Sequence, residues 1–261
     1  MKKSLFAIAA LSLATLCGCS KWAGDPITQE FSVDGSYTEL RVEDAFDVTV
    51  SDAVSQVTIT AGENIMPKVK VELSGKKLSI YLKGLTINYG DKMTVLLPYN
   101  PELTSVDLSG ASNFHTNHAI TGDEVSIDLS GASDFIGDIV AGEVEMELSG
   151  ASSIKGVVNA TRKMELELSG SSHAVLDGQT GKLELNISGS SDLVKKIVGD
   201  RYSFVCDQCE CSISGSSDAY LHCDGSITGG ISGSSELHYT GMASTSGCNV
   251  SGGSSVVHDV Y

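Results

Sequence analysis

Acidic side chains, cysteines, histidines and repeated serines are the residues of this chain whose types and spacing could do chemistry. Asp107, Asp128, Glu147 and Glu167 each precede an apolar residue and a Ser-Gly pair, at intervals near twenty residues. Glu145, Glu165, Glu184 and Glu210 share a second phase. If each phase stacks at strand spacing, neighbouring carboxylates lie about 5 Å apart and repel by roughly 0.8 kcal/mol per pair in water. A divalent cation such as Ca2+ or a basic partner surface would relieve that repulsion. A solvated acidic face with shifted carboxyls requires neither. Of the three arginines, Arg41, Arg162 and Arg201, only Arg162 falls near a ladder by phase.

The cysteines offer a second chemistry. Cys206, Cys209, Cys211, Cys223 and Cys248 crowd one stretch, but no second ligand pair at zinc-finger spacing accompanies Cys206-x-x-Cys209. In an oxidising compartment such thiols form disulfides or fill a core. Cys206 and Cys223 precede successive repeat glycines by similar counts, so they are expected to stack and can bond. Cys211 and Cys248 fall two coils apart, beyond disulfide reach. His115, His118, His173, His222, His238 and His258 show no ligand spacing. Ser-Gly-Ser-Ser supplies many hydroxyls, yet its repetition marks a structural corner rather than a nucleophile.

These residues are positioned by a repeat. Glycines 110, 131, 150, 170, 189, 215, 233 and 252 each sit in a Leu/Ile/Val-Ser-Gly phrase, spaced 18 to 21 apart with one gap of 26. Two residues before them stand Leu108, Leu129, Leu148, Leu168, Ile187, Ile213, Ile231 and Val250. Apolar residues recur at four and six before, with polar residues between. That alternation is the mark of strands with one buried face. Twenty residues are too few for a propeller blade, and no helical spacing recurs between the phrases. The expected fold is all-β: a right-handed parallel β-helix, or solenoid, of about 20 residues per coil, with the serine–glycine phrase at its corner and small hydroxyls stacked there. The long gap, holding Lys195-Lys196 and Arg201-Tyr202, reads as a protruding loop, where such folds often carry function.

Residues 27–105 read as strands without the repeated phrase, separated by turns at Ser74-Gly75-Lys76-Lys77 and Tyr89-Gly90-Asp91. They are taken as an irregular N-terminal β-cap on the regular part, 106–261, a small separate β-domain being the alternative. Residues 1–18 form a leader: Lys2 and Lys3, then an apolar run from Leu5 to Leu16 too short to span a bilayer. Leu16-Cys17-Gly18-Cys19 resembles a bacterial lipobox, which implies cleavage before Cys19, a diacylglyceryl thioether on its sulfur, and a tether over 19–26. The chain carries 33 acidic against 17 basic residues. That balance excludes nucleic acid as partner and leaves the lipid to do the membrane anchoring.

The phrases Tyr37-Thr38-Glu39-Leu40-Arg41-Val42 and Ala45-Phe46-Asp47-Val48-Thr49-Val50, then Val57-Thr58-Ile59, Leu78-Ser79-Ile80, Val95-Leu96-Leu97-Pro98 and the repeated Leu-Ser-Gly-Ala-Ser, resemble the head GIN domain family of auto-transporter adhesins, found largely in Bacteroidetes lipoproteins. The resemblance implies a β-helical fold and an envelope location, and carries no catalytic residues. In related bacteria an acidic run after the lipidated cysteine accompanies surface export. Ser20-Lys21-Trp22-Ala23-Gly24 lacks one, which favours an outer-membrane anchor facing the periplasm. The expected function is a non-enzymatic binding or adhesion-type module for a glycan or protein ligand. A polysaccharide lyase or hydrolase on the same scaffold, or a purely structural envelope part, are the other readings. The enzyme would need carboxylates paired at a set separation.

Overall fold

The alternating residues of each phrase have one way to bury their apolar face: to lie on the same face of the copy above. The computed structural model, which describes residues 23–84, 93–194 and 196–261, shows that arrangement. Leu108, Leu129, Leu148, Leu168, Ile187, Ile213, Ile231 and Val250 are successive parallel register partners. On the next face Phe114, Phe135, Ile154, Ala174, Leu193, Ala219, Leu237 and Val256 are likewise in register. All but the last member of each row are buried. The protein is a β-solenoid with one continuous apolar column.

The corner glycines form a spine. All eight have φ between +73° and +90°, where an L side chain is strained. From Gly131 to Gly252, a Cβ would stand 2.3 to 2.7 Å from the carbonyl oxygen of the glycine one coil earlier. Those oxygens accept instead from the next coil's backbone, as Gly131 O does from Ala151 N at 2.7 Å and Gly150 O from Ser171 N at 2.7 Å. Two residues after each of the first seven glycines, Ser112, Ser133, Ser152, Ser172, Ser191, Ser217 and Ser235 are fully buried. Their hydroxyls are satisfied locally: Ser152 Oγ donates to Ser149 O at 2.8 Å, and Ser172 N donates to Ser191 Oγ at 3.1 Å. Buried hydroxyls with partners cost little, and these stack as a ladder.

The spine begins on a residue that carries no glycine signal. Asp44 has φ +76°, the one positive-φ residue other than glycine among those described, and a Cβ on Gly110 would lie 2.2 Å from its carbonyl oxygen. Aspartate adopts this conformation more readily than most L residues, and here a contact from another strand holds its side chain: Asp44 Oδ2 accepts from Leu82 N at 2.7 Å.

Glu39–Val42 pairs in parallel with Ser105–Leu108 on one side and Lys77–Leu82 on the other. Phe46–Ser51 lies likewise between Asn113–His115 and Met93–Pro98. The N-terminal part is therefore continuous with the solenoid, yet its stacking order departs from chain order: strands 77–82 and 93–98 lie outside strands 39–42 and 46–51. Antiparallel strands finish the end. Val69–Ser74 folds back on Lys77–Leu82 through the turn at Gly75, Val57–Gly62 pairs with Met93–Pro98, and Pro26–Phe31 covers Val57–Gly62. Such a cap closes an edge that would otherwise offer unpaired backbone. The turn expected at Tyr89-Gly90-Asp91 lies outside the described residues.

Candidate functional site

Strand alternation turns Asp107, Asp128, Glu147 and Glu167 outward while their apolar neighbours enter the core. The structure places them in one register row, continued by Arg41 before Asp107 and by Asn186 and Ser212 after Glu167. The two ends of the acidic run are met by complementary groups. Arg41 Nε stands 3.5 Å from Asp107 Oδ2, and Asn186 Nδ2 donates to Glu167 Oε1 at 3.1 Å. The expectation that Arg162 alone sits near a ladder is thus corrected. Arg41 does so because its coil stacks directly on that of Asp107, whereas Arg162 pairs with Asp123 and Glu143, off the row.

Asp128 and Glu147 occupy the uncompensated middle. The Glu147 carboxyl is held above the ordinary range by desolvation first, then by Asp128 and Glu167 on either side. Asp107 is also raised, by partial burial, with Arg41 opposing. Beside the row runs an open groove of about 220 Å³, lined by Asp128, Glu147, Glu167 and Asn186 and floored by corner serines such as Ser149 and Ser169. Its chemistry is that of acceptors and hydroxyls repeating once per coil. Among the described residues no group of three or more His, Cys, Asp or Glu is arranged to hold a metal ion.

The second row, Glu145, Glu165, Glu184 and Glu210, is in register as expected, and two lysines pair with three of its four carboxylates. Lys163 Nζ lies 3.1 Å from Glu165 and 2.6 Å from Glu184; Lys182 Nζ lies 2.7 Å from Glu184 and 3.3 Å from Glu210. The two ammonium groups hold the Glu184 carboxyl below its usual value. The signal for this was present as Lys163-x-Glu165 and Lys182-x-Glu184, since period two puts such pairs on one face.

Cys206 and Cys223 are register partners in neighbouring coils, both buried and both free thiols here. Cys211 and Cys248 are separated by Gly229, which pairs with each. The remaining site expectation, lipidation of Cys19, falls outside the described residues, as does Lys195. Histidines pair with nearby carboxylates: His118 Nε2 lies 3.0 Å from Asp52, and His238 bridges Glu236 and Asp259 at 3.1 and 2.9 Å.

The long gap forms a short hairpin, Ile197–Val198 with Arg201–Tyr202. It does not simply protrude. Its tip is exposed at Val198, but Tyr202 is fully buried. The Tyr202 amide donates to Thr240 Oγ1 at 3.1 Å, its hydroxyl donates to Asp259, and its ring packs edge-on to Tyr220 and Tyr261.

Coil-on-coil stacking, a glycine spine and repeated outward rows define a β-solenoid whose side faces are periodic. Residues 36–162 and 157–243 match the family model described as "Putative auto-transporter adhesin, head GIN domain", and the chain belongs to that family. A putative adhesin from Parabacteroides merdae superposes with a TM-score of 0.76 at 19% identity, over 90% of this chain and 97% of that one. A putative adhesin from Parabacteroides distasonis gives 0.71 at 22% identity, over 90% and 95%. A protein titled a putative lipid binding protein, also from Parabacteroides distasonis, gives 0.65 at 19%, over 90% and 97%. At these identities the likeness is one of fold. No curated protein matches the chain.

Proposed function

We propose that this protein is a non-enzymatic, envelope-anchored binding module of adhesion type, holding an extended ligand along the face of Asp128, Glu147, Glu167 and Asn186. The observation that carries the reading is the groove beside that row, in which carboxylates, an amide and serine hydroxyls recur at coil spacing. Such a surface matches a ligand that itself repeats and is rich in hydrogen-bond donors, and a glycan chain is the class that fits. Specificity then comes from several weak, regularly spaced contacts. The lipobox at Cys19 supports a thioether lipid anchor, and the acidic body, which anionic headgroups repel, requires one. The absence of an acidic run after Cys19 supports an outer-membrane site facing the periplasm.

The test is a glycan array probed with the mature protein and with a triple variant, Asp128→Asn, Glu147→Gln and Glu167→Gln. A set of glycans bound by the first and lost by the second is expected. Release of reducing ends or unsaturated products from a bound glycan would show an enzyme instead. Retention of binding by the triple variant would move the site elsewhere. Membrane fractionation of Cys19→Ser, with the protein expected in the soluble fraction, checks the anchor.

A further inference from the structure

Five cysteines fall within three successive coils, beginning with the one that carries the long gap, and burial alone does not account for how they are distributed. Cys206 opens the first regular strand after the hairpin, Phe204–Ile213, and its register partner is Cys223 on Asp218–Ile231. Both are almost completely buried. In-register neighbours on parallel strands stand about 4.8 Å apart at Cα, within the span a disulfide bridges. No other cysteine has a cysteine as its register partner, although the Cys209 thiol lies against those of Cys206 and Cys211 within its own strand. Cys209 faces Ile227 and Cys211 faces Gly229. Cys248 pairs with Gly229, so a coil separates it from Cys211. Along the strand, Cys209 and Cys211 are two residues apart, close to the outer limit of disulfide reach. The ladder is locally irregular just after Cys206, where the register shifts before Gln208.

From this placement we propose that Cys206 and Cys223 form one disulfide that staples the coil carrying the hairpin to the coil above it, while Cys209, Cys211 and Cys248 stay reduced. The bond sits where the twenty-residue period breaks. There the long coil must be brought back into step with its neighbours, and a covalent tie fixes that register. The electron acceptor is a small-molecule or protein disulfide. One thiolate of the pair attacks an acceptor sulfur and expels the acceptor's first thiolate, leaving a mixed disulfide. The second thiolate attacks the chain-side sulfur of that mixed disulfide and expels the acceptor's other thiolate. The two cysteines lose two protons and two electrons in all, and the acceptor is reduced to two thiols. Because both sulfurs are enclosed in the finished coil, the exchange belongs to folding, before the coils close over them.

The distribution of aspartates makes the test direct. Cleavage before Asp200, Asp207, Asp218 and Asp224 places Cys206, the Cys209–Cys211 pair, Cys223 and Cys248 on four separate peptides. The mature chain bearing Cys19→Ser is reduced, unfolded and refolded in mixed oxidised and reduced glutathione. Its native monomer is alkylated in denaturant without reductant, then digested with an aspartate-directed endoproteinase for mass spectrometry. A parallel sample of wild-type protein from the bacterial envelope is treated the same way, so that refolding yield does not decide the outcome. A cross-link between peptides 200–206 and 218–223, with Cys209, Cys211 and Cys248 alkylated, is expected in both. All five cysteines alkylated, or a cross-link involving Cys209, Cys211 or Cys248, overturns the proposal. Neither outcome bears on ligand binding at the acidic face.

Discussion

Replacing Gly150 with alanine tests the stacked corner most directly. At φ +76° an L residue costs about 1–2 kcal/mol. The new Cβ would also stand 2.3 Å from Gly131 O, a backbone atom already bonded to Ala151 N. To reach ordinary contact the two coils must part by roughly 1 Å at the corner, and overpacking of this kind costs a further 1–3 kcal/mol or so. Gly75 is the control. It has φ +64° in the hairpin turn, with nothing within 4 Å of a Cβ, so Gly75→Ala carries the conformational cost alone. The gap between the two variants is therefore about 1–3 kcal/mol, which at ~2–4 °C per kcal/mol for a domain of this size separates their thermal midpoints by roughly 2–12 °C. Circular dichroism melts of both, at one protein concentration, measure it. If Gly150→Ala melts no lower than Gly75→Ala, the glycines do not stack, and the acidic rows and the thiol pairing lose their geometry with them.

Glu147→Gln is expected to raise the thermal midpoint at neutral pH. The folded-state value of Glu147 lies above its unfolded value, so the folded protein binds protons more tightly and stability falls as pH rises through that window. The gain should vanish below the ordinary carboxylate range, and a gain that persists there would refute the cause. Phe135→Ala removes a fully buried ring stacked on Phe114 at 5.4 Å; a loss of about 3–5 kcal/mol in urea unfolding is expected, and a loss below 1 kcal/mol would contradict the packing. Ser152→Ala removes only the hydrogen bond to Ser149 O, so about 0.5–1.5 kcal/mol should be lost, whereas Ser152→Val should cost more by crowding the ladder. Calorimetric titration with Ca2+ should show no saturable heat at millimolar concentration, because the acidic row offers adjacent pairs and no convergent set; a stoichiometric heat would revive the cation reading.

The repeating part was legible because one phrase carried three kinds of information at once. Alternation gave the strands, the constant interval gave the stacking, and glycine gave the corner, so Leu108 through Val250 fell into register without further input. Where any one signal was missing, the reading failed or fell short. Asp44 heads the spine, but an aspartate in a left-handed conformation looks like any exposed acid in sequence. The outer position of strands 77–82 and 93–98 leaves no periodic trace, since those strands share no phrase to align. Arg41 was missed beside Asp107 for the same reason, its coil being 66 residues away along the chain. The pairing of Lys163 and Lys182 with the second row is written in the sequence, because period two puts each lysine on the face of the glutamate two residues on. The Cys206–Cys223 neighbourhood was recoverable by counting from the corner glycines, although the irregularity after Cys206 was not.

Tyr202 has a mechanical consequence. In a stack where strands pair with the coils directly above and below, coils can in principle peel away one at a time from a free end. Tyr202, tied through its amide to Thr240 and through its hydroxyl to Asp259, acts as a strut that skips intervening coils. The terminal turns must then detach together or stay put, so this end of the rod should yield under load in a single larger step.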